Sequence, residues 1–286
     1  MTGIPRVVVS FGGALVDGTT PVLTAVDHGL VVGDGAFETV KVAAGIPFAL
    51  ERHIDRLERS LTALALPPPN REDVRAAVAQ VVSTAPWSLA RLRITVTGGP
   101  SPLSSVRGAA GPTLVVAIEE MAPAAPEESV VVCPWVRNER SALHGIKSTS
   151  YAENVLALRW AKARGAGEAL FANTVGDLAE GTGSNVFLVR DGAVVTPALA
   201  SGGLAGITRA LVIDLANASE EIITPDDLLT ADELFLTSTT RDVQPVVRVD
   251  DHPVGAGAGP ITSRVAAEFA RLQADHPDPP PPGSTS

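Results

Sequence analysis

The proline-punctuated segment Met121-Ala122-Pro123-Ala124-Ala125-Pro126 restricts the fold more than any other feature of this chain. Proline lacks an amide hydrogen and fixes φ, so neither a helix interior nor a central strand runs through such a stretch. Between apolar regions it reads as a linker. It divides the 286 residues into an N-terminal α/β domain, residues 1–120, a linker, residues 121–128, and a C-terminal domain, residues 129–275. Each domain is long enough for its own core, given typical sizes of roughly 100–150 residues. A Pro-rich tail, residues 276–286, is expected to be disordered.

Within the first part, Val7 to Phe11 reads as a strand followed by an Asp17-Gly18 turn. Residues 51–65 repeat Ile54, Leu57, Leu61 and Leu64 at helical spacing, with His53 and Arg56 at the border of the stripe. Pro67-Pro68-Pro69-Asn70 ends that helix, and residues 71–84 suggest another. Strands over Leu92 to Thr97 and Thr113 to Ile118 flank a Gly-, Pro- and Ser-rich loop, residues 98–112, of a length that is often functional. The glycines between Asp27 and Thr39 read as tight turns near another surface.

In the second part, Val130 to Val132 is strand-like and a helix over 152–164 places Val155, Leu158 and Ala161 on one side. Strands follow over Glu168 to Ala172, Asn185 to Val189 and Ala193 to Thr196, the last two joined by an Asp191-Gly192 turn. A helix opens at Ile207-Thr208 with Leu211, Val212 and Leu215 inward. Strand Glu233 to Leu236 enters the turn Thr237-Ser238-Thr239-Thr240, and a helix spans 260–272. Separate helices and strand runs imply an α+β chain, two α/β domains with mixed sheets.

Composition excludes several classes of function. A formal charge of −10 disfavours nucleic acid and anionic membrane as partners. Cys133 is the single cysteine, so no intrachain disulfide forms. The start, Met1 to Arg6, lacks the pattern of a signal peptide, and no apolar run approaches the roughly 18 residues of a membrane span. A cytoplasmic location is the expectation. The five histidines are scattered, so no metal site is expected.

Lys147, in Gly145-Ile146-Lys147-Ser148, stands between a strand-like stretch and an apolar helix. A lysine with a pKa of about 10.4 needs burial or a carbonyl partner before it acts as base or nucleophile. Glu180, among the small residues of Leu178 to Asn185, could sit against a flat ligand and hold a pyridine nitrogen protonated. Gly206-Ile207-Thr208 at a helix start and the hydroxyl-rich turn at Thr239 are two candidate phosphate cradles, and Arg56 could supply a matching cation. Taken singly, each residue is also an ordinary loop, cap or surface residue.

In order along the chain, DHGLVVGDGAFET, HIDRL, GIKSTSYAENVLA, LAEGTGSNVFLV, LAGITR and LFLTSTTRDVQPV resemble the class IV (fold-type IV) aminotransferases, which depend on pyridoxal 5'-phosphate (PLP). That family includes branched-chain aminotransferases, D-amino-acid transaminases and aminodeoxychorismate lyases. The resemblance implies PLP between two domains, and a homodimer. It implies that Lys147 carries the cofactor covalently and moves protons, and that Glu180 meets the pyridine nitrogen. Arg56, Ile207, Thr208 and Thr239 would hold the phosphate, with Tyr151 near the phenolic oxygen. Phe37, Glu38, Arg107 and Thr240 would face an amino substrate.

Branched-chain enzymes carry Tyr-x-Arg-Pro near the strand matching Leu92 to Thr97, and D-amino-acid enzymes an Arg-x-His trap in the following loop. This chain has Thr97-Gly98-Gly99-Pro100 and no such trap, although Arg107 could substitute. The resemblance therefore leads first to 4-amino-4-deoxychorismate lyase, giving pyruvate and the p-aminobenzoate of folate biosynthesis. Glu38, a threonine in the enterobacterial lyase, and TSTTRDVQPV point instead to a D-amino-acid or broad, branched-chain-like transaminase. A PLP-binding protein without turnover is the reading from another class.

Overall fold

The computed structural model describes residues 7–255 and 258–280. The chain packs as two units. One comprises the chain up to Pro123, Ile146–Tyr151 and the residues from His276 on; the other comprises Ala124–Gly145 and Ala152–Asp275.

Six strands, β1 (Val7–Phe11), β2 (Ala14–Asp17), β3 (Gly35–Ala43), β4 (Ile46–Pro47), β5 (Leu89–Thr97) and β6 (Thr113–Glu120), form the sheet of the first unit. Their order is β2-β1-β6-β5-β3-β4, and every pairing is antiparallel. Alternation in β5 shows why it forms: Ala90, Leu92, Ile94 and Val96 are buried, while Arg91 and Arg93 take the opposite face. A short helix α1 (His28–Val31) precedes β3, and α2 (Leu50–Ala63) and α3 (Arg71–Val82) pack on the sheet. Ile54, Leu57 and Leu61 of α2 join Val74, Val78 and Val81 of α3 in one core with the inward strand residues. Full burial of such a side chain contributes about 1.5–3 kcal/mol.

Strand β3 was not expected. Its first four residues are buried, so no alternation marks it, and Gly35 allows a close approach to β5. A Cβ there would meet the Val96 carbonyl oxygen at 2.5 Å.

The expected disorder of the tail is corrected for residues 276–280; residues 281–286 lie outside the described residues. Ala49, the residue before α2, has φ 55 and gives no side-chain cap. Its N–H donates to Pro277 O at 2.7 Å, and the Glu51 N–H donates to the Asp278 carboxylate at 3.2 Å. Arg52 donates to the carbonyls of Pro279 (3.0 Å) and Pro280. The tail thus satisfies amides that a helix start otherwise leaves unpaired.

The second unit is a nine-stranded mixed sheet. Its strands are β7 (Glu128–Arg137), β8 (Glu168–Asn173), β9 (Leu178–Gly181), β10 (Asn185–Arg190), β11 (Ala193–Pro197), β12 (Ser219–Glu221), β13 (Glu233–Ser238), β14 (Asp242–Val249) and β15 (His252–Pro253). The order is β12-β11-β10-β13-β14-β7-β8-β9, with β15 paired to β14. The pairs β7–β8, β7–β14 and β11–β12 are parallel. Asp191 and Gly192 have φ 49 and 80, the left-handed pair that closes the β10–β11 hairpin.

Helices α4 (Ala152–Lys162), α5 (Ile207–Ala216) and α6 (Pro260–Asp275) complete the unit. The buried side of α4 is Asn154, Ala157 and Ala161, with Val155 exposed, which corrects the expected stripe. Asn154 sets the rotation, donating its side-chain amide to Thr182 O. Two small alanines then lie with Val131, Ala169 and Phe171 in one apolar cluster. Among the described residues no helix is long and apolar enough to cross a membrane.

Candidate active site

Residues 147–149 lie along β3. Thr149 N–H donates to Gly35 O at 2.9 Å, Phe37 N–H donates to Lys147 O at 3.0 Å, and Ala36 pairs with Ser148. Lys147 therefore stands opposite Phe37 on the same face of an antiparallel pair. Its Nζ lies 4.4 Å from the Phe37 ring centroid and 5.6 Å from that of Tyr151. The two rings meet edge to face at 5.2 Å. On the same Phe37 ring sits Arg93, its Cζ 3.6 Å from the centroid. Arg93 is the partner of Thr39 on β3, one diagonal step from Phe37. One ring thus carries two cations, and the structure brings Lys147, Phe37 and Tyr151 together. Arg93 was missed, since an outward arginine on a strand is ordinarily a solvated charge.

Behind β3 lies a buried cluster. Glu38, 0% exposed, accepts from Arg56 Nε at 2.8 Å, Arg56 Nη2 at 2.7 Å and His53 Nδ1 at 2.7 Å. Burial alone would raise its pKa. The Arg56 charge and the hydrogen bonds of Arg56 and His53 outweigh that and hold the carboxyl at about 2. Burial pushes the His53 imidazole below its usual value. Expected as a substrate contact, Glu38 is instead sealed inside the unit and bound to Arg56 and His53.

Arg107 is corrected as well. It grips Asp34 through Nε and Nη2, both at 2.7 Å, and donates from Nη1 to Ala65 O at 2.9 Å. His28 holds the same loop, with Nδ1 2.8 Å from Asp34 and Nε2 2.8 Å from Ser104 O. The Asp34 hydrogen bond raises the His28 pKa, and the Arg107 hydrogen bond lowers that of Asp34. The 98–112 loop is fastened to α1 and its flanks, and its arginine is engaged there.

In the second unit Glu180 stands on β9 opposite Phe171 of β8. Its Oε2 accepts the Leu204 N–H at 2.8 Å, and its Oε1 lies 3.2 Å from Arg137 Nε. The Arg137 guanidinium rests over Phe171 at 4.3 Å. Arg137 is a second neighbour that sequence reading did not supply. Gly206 caps α5 without a side chain, so the first-turn amides of Ile207 and Thr208 suit an anion. A Cβ on Gly206 would lie 2.1 Å from Asn185 Oδ1, so a side chain there would have to displace the Asn185 amide. Thr239 and Thr240 form the turn between β13 and β14. Beneath them the Thr237 hydroxyl is buried without a hydrogen-bond partner among the described residues. Open helix amides and hydroxyls match a phosphate, and a half-buried carboxylate matches a protonated ring nitrogen.

Fold and residues together describe an α/β chain with Lys147 set against the rings of Phe37 and Tyr151. Residues 35–249 match the family described as amino-transferase class IV. The chain is 31% identical to a D-alanine aminotransferase of Bacillus licheniformis, over 90% of this chain and 94% of that protein. It is 31% identical to a branched-chain-amino-acid aminotransferase of Pseudomonas aeruginosa, over 93% and 92%. It is 29% identical to an aminodeoxychorismate lyase of Bacillus subtilis, over 85% and 86%. The solved fold IV-transaminase CpuTA1 of Curtobacterium pusillum superposes with a TM-score of 0.82 at 31% identity, covering 95% of this chain and 100% of that one. The chain belongs to the class IV aminotransferase family, whose enzymes depend on pyridoxal phosphate.

Proposed function

We propose that the protein transfers the amino group of an α-amino acid to a 2-oxo acid, with Lys147 as the proton carrier. The observation behind this reading is the Phe37 ring shared by Lys147 Nζ and the Arg93 guanidinium. Both substrates of amino transfer bear a carboxylate beside the reacting carbon. A guanidinium held against the same ring as the proton carrier suits that carboxylate. The aminotransferase relatives support the same reading.

Lys147, Arg56, Tyr151, Glu180, Ile207, Thr208 and Thr239 would hold pyridoxal phosphate, which supplies an electron sink for the charge left when the substrate carbon loses a proton. Lys147 Nζ takes that proton and returns one. Phe37 and Tyr151 would screen the amine from water, and Glu180 would favour a protonated ring nitrogen on the cofactor through its opposite charge. Thr240 would offer its backbone to the substrate carboxylate.

The lyase is the second reading, and the engagement of Arg107 by Asp34 favours it. That loop then presents no spare guanidinium in place of the missing Arg-x-His trap. One parallel assay decides. Purified protein receives D-alanine, L-leucine or L-glutamate with a 2-oxo acid, and separately aminodeoxychorismate. New amino acid in the first set supports transfer. Pyruvate and p-aminobenzoate in the second, with none in the first, replace it by the lyase. Bound cofactor without turnover in either replaces both by a binding protein. A homodimer comes with the family resemblance, and light scattering on the purified protein tests it.

A further inference from the structure

We propose that Glu38 is a positioning residue that fixes the Arg56 guanidinium in the orientation needed to meet the cofactor phosphate. The proposal rests on the reading above that Arg56 is a phosphate contact. Glu38 is fully buried, and its two oxygens accept three hydrogen bonds, two from one edge of the guanidinium and one from His53. A fork of that kind sets both the plane and the rotation of the arginine. Burial of an ion pair is a poor route to stability alone, since apolar residues of like size often serve as well. The trio therefore calls for a role beyond packing.

Its place supplies one. His53, Arg56 and Ser60 recur at three- and four-residue spacing on α2, so they share a face. Ser60 Oγ accepts the Lys147 N–H at 3.4 Å, so that face is registered against the segment carrying the proton carrier. The Lys147 charge is also felt at His53, adding to the lowering that burial begins. A neutral His53 donates its one hydrogen from Nδ1 to Glu38, and the trio then has no net charge. What it offers an anion is oriented donors rather than excess positive charge. Arginine alone carries a large rotamer entropy, and holding it beforehand removes that cost from binding.

The test compares two ligands of the full-length, cofactor-free protein: pyridoxal phosphate, and pyridoxal, which lacks the phosphate. The ratio of their dissociation constants reads the phosphate contacts. Glu38→Gln places an amide where an acceptor is needed. It is expected to weaken pyridoxal phosphate about tenfold, the scale of a charge-assisted hydrogen bond, with pyridoxal within about twofold. Arg56→Ala lowers the ratio at least as far, and the double variant falls no further than Arg56→Ala, because the two residues act as one unit. A folded Glu38→Gln with an unchanged ratio, or an effect that adds to that of Arg56→Ala, overturns the positioning role. An unchanged ratio in Arg56→Ala itself refutes the phosphate reading, and the proposal with it. If Glu38→Gln shows no cooperative melting, Glu38→Asp, which keeps the charge on a shorter arm, carries the same comparison.

Discussion

Phe37 and Lys147 are joined twice: the Phe37 N–H donates to the Lys147 carbonyl at 3.0 Å, and the Lys147 Nζ lies 4.4 Å from the Phe37 ring centroid. The backbone bond fixes where the lysine stem leaves the chain. The ring fixes one wall beside its amine, and a cation over an aromatic face gains about 0.5–2 kcal/mol. On a free loop the lysine would lose the orientation that it holds here before any ligand arrives.

Lys147→Ala is expected to lower turnover by at least the 10²–10⁴-fold that is typical of losing a general acid–base group. Steady-state rates and the visible absorbance of bound cofactor check it. Near-normal rates would end the assignment of Lys147.

Arg93→Gln should raise KM for carboxylate substrates by about 10- to 100-fold, the range for one charged hydrogen-bond partner. An amine donor without a carboxylate should react as with the unaltered enzyme. An equal loss for both donors would show that Arg93 supports the sheet instead.

The 98–112 loop should loosen as pH rises. The folded His28 pKa lies above its ordinary value, so its contribution is complete below the unfolded value near 6.5 and disappears as pH climbs through the folded one. Asp34 has the opposite sign: its folded pKa is lowered, so its contribution is present above the unfolded value and is lost as pH falls through the folded one. Melting temperatures of the natural protein and His28→Gln, measured from about pH 6 to about 9, should converge with rising pH. Parallel curves would exclude His28 as the titrating group. Arg107→Ala should lower the melting temperature at every pH without a selective change in KM.

Removing the residues after Asp275 takes away the cap of α2. The expected loss is about 0.5–2 kcal/mol, the usual value of a helix N-cap. Urea denaturation of the shortened chain measures it. Asp278→Asn, which keeps an acceptor, should retain most of that stability.

Helices α2 to α6 and the motifs shared with the family were legible because their signals are local. Ile54, Leu57 and Leu61 repeat at helical spacing, and Lys147 and Glu180 stand in distinctive runs. Strand β3 was hidden because residues 35–38 are buried without alternation and Gly33 and Gly35 at its start read as a turn. Strand β14 begins with polar residues and contains Pro245, which argues against a strand. The roles of Glu38, Arg93 and Arg107 turn on which side of a strand or loop each side chain takes, and that depends on distant partners: Arg56 and His53, Phe37, and Asp34.

The chain order of the first unit has a consequence for synthesis. On the ribosome, residues 35–37 emerge long before 147–149, so the edge of β3 that receives Lys147 waits through more than a hundred further residues. The lysine segment then adds to a sheet edge much as a peptide ligand does. Until that moment the nascent unit has its arginines, its aromatic ring and its buried carboxylate, and lacks the amine. Lys147 becomes in effect a late-arriving ligand of its own protein, and the open edge is a place where a stalled chain is exposed to wrong pairing.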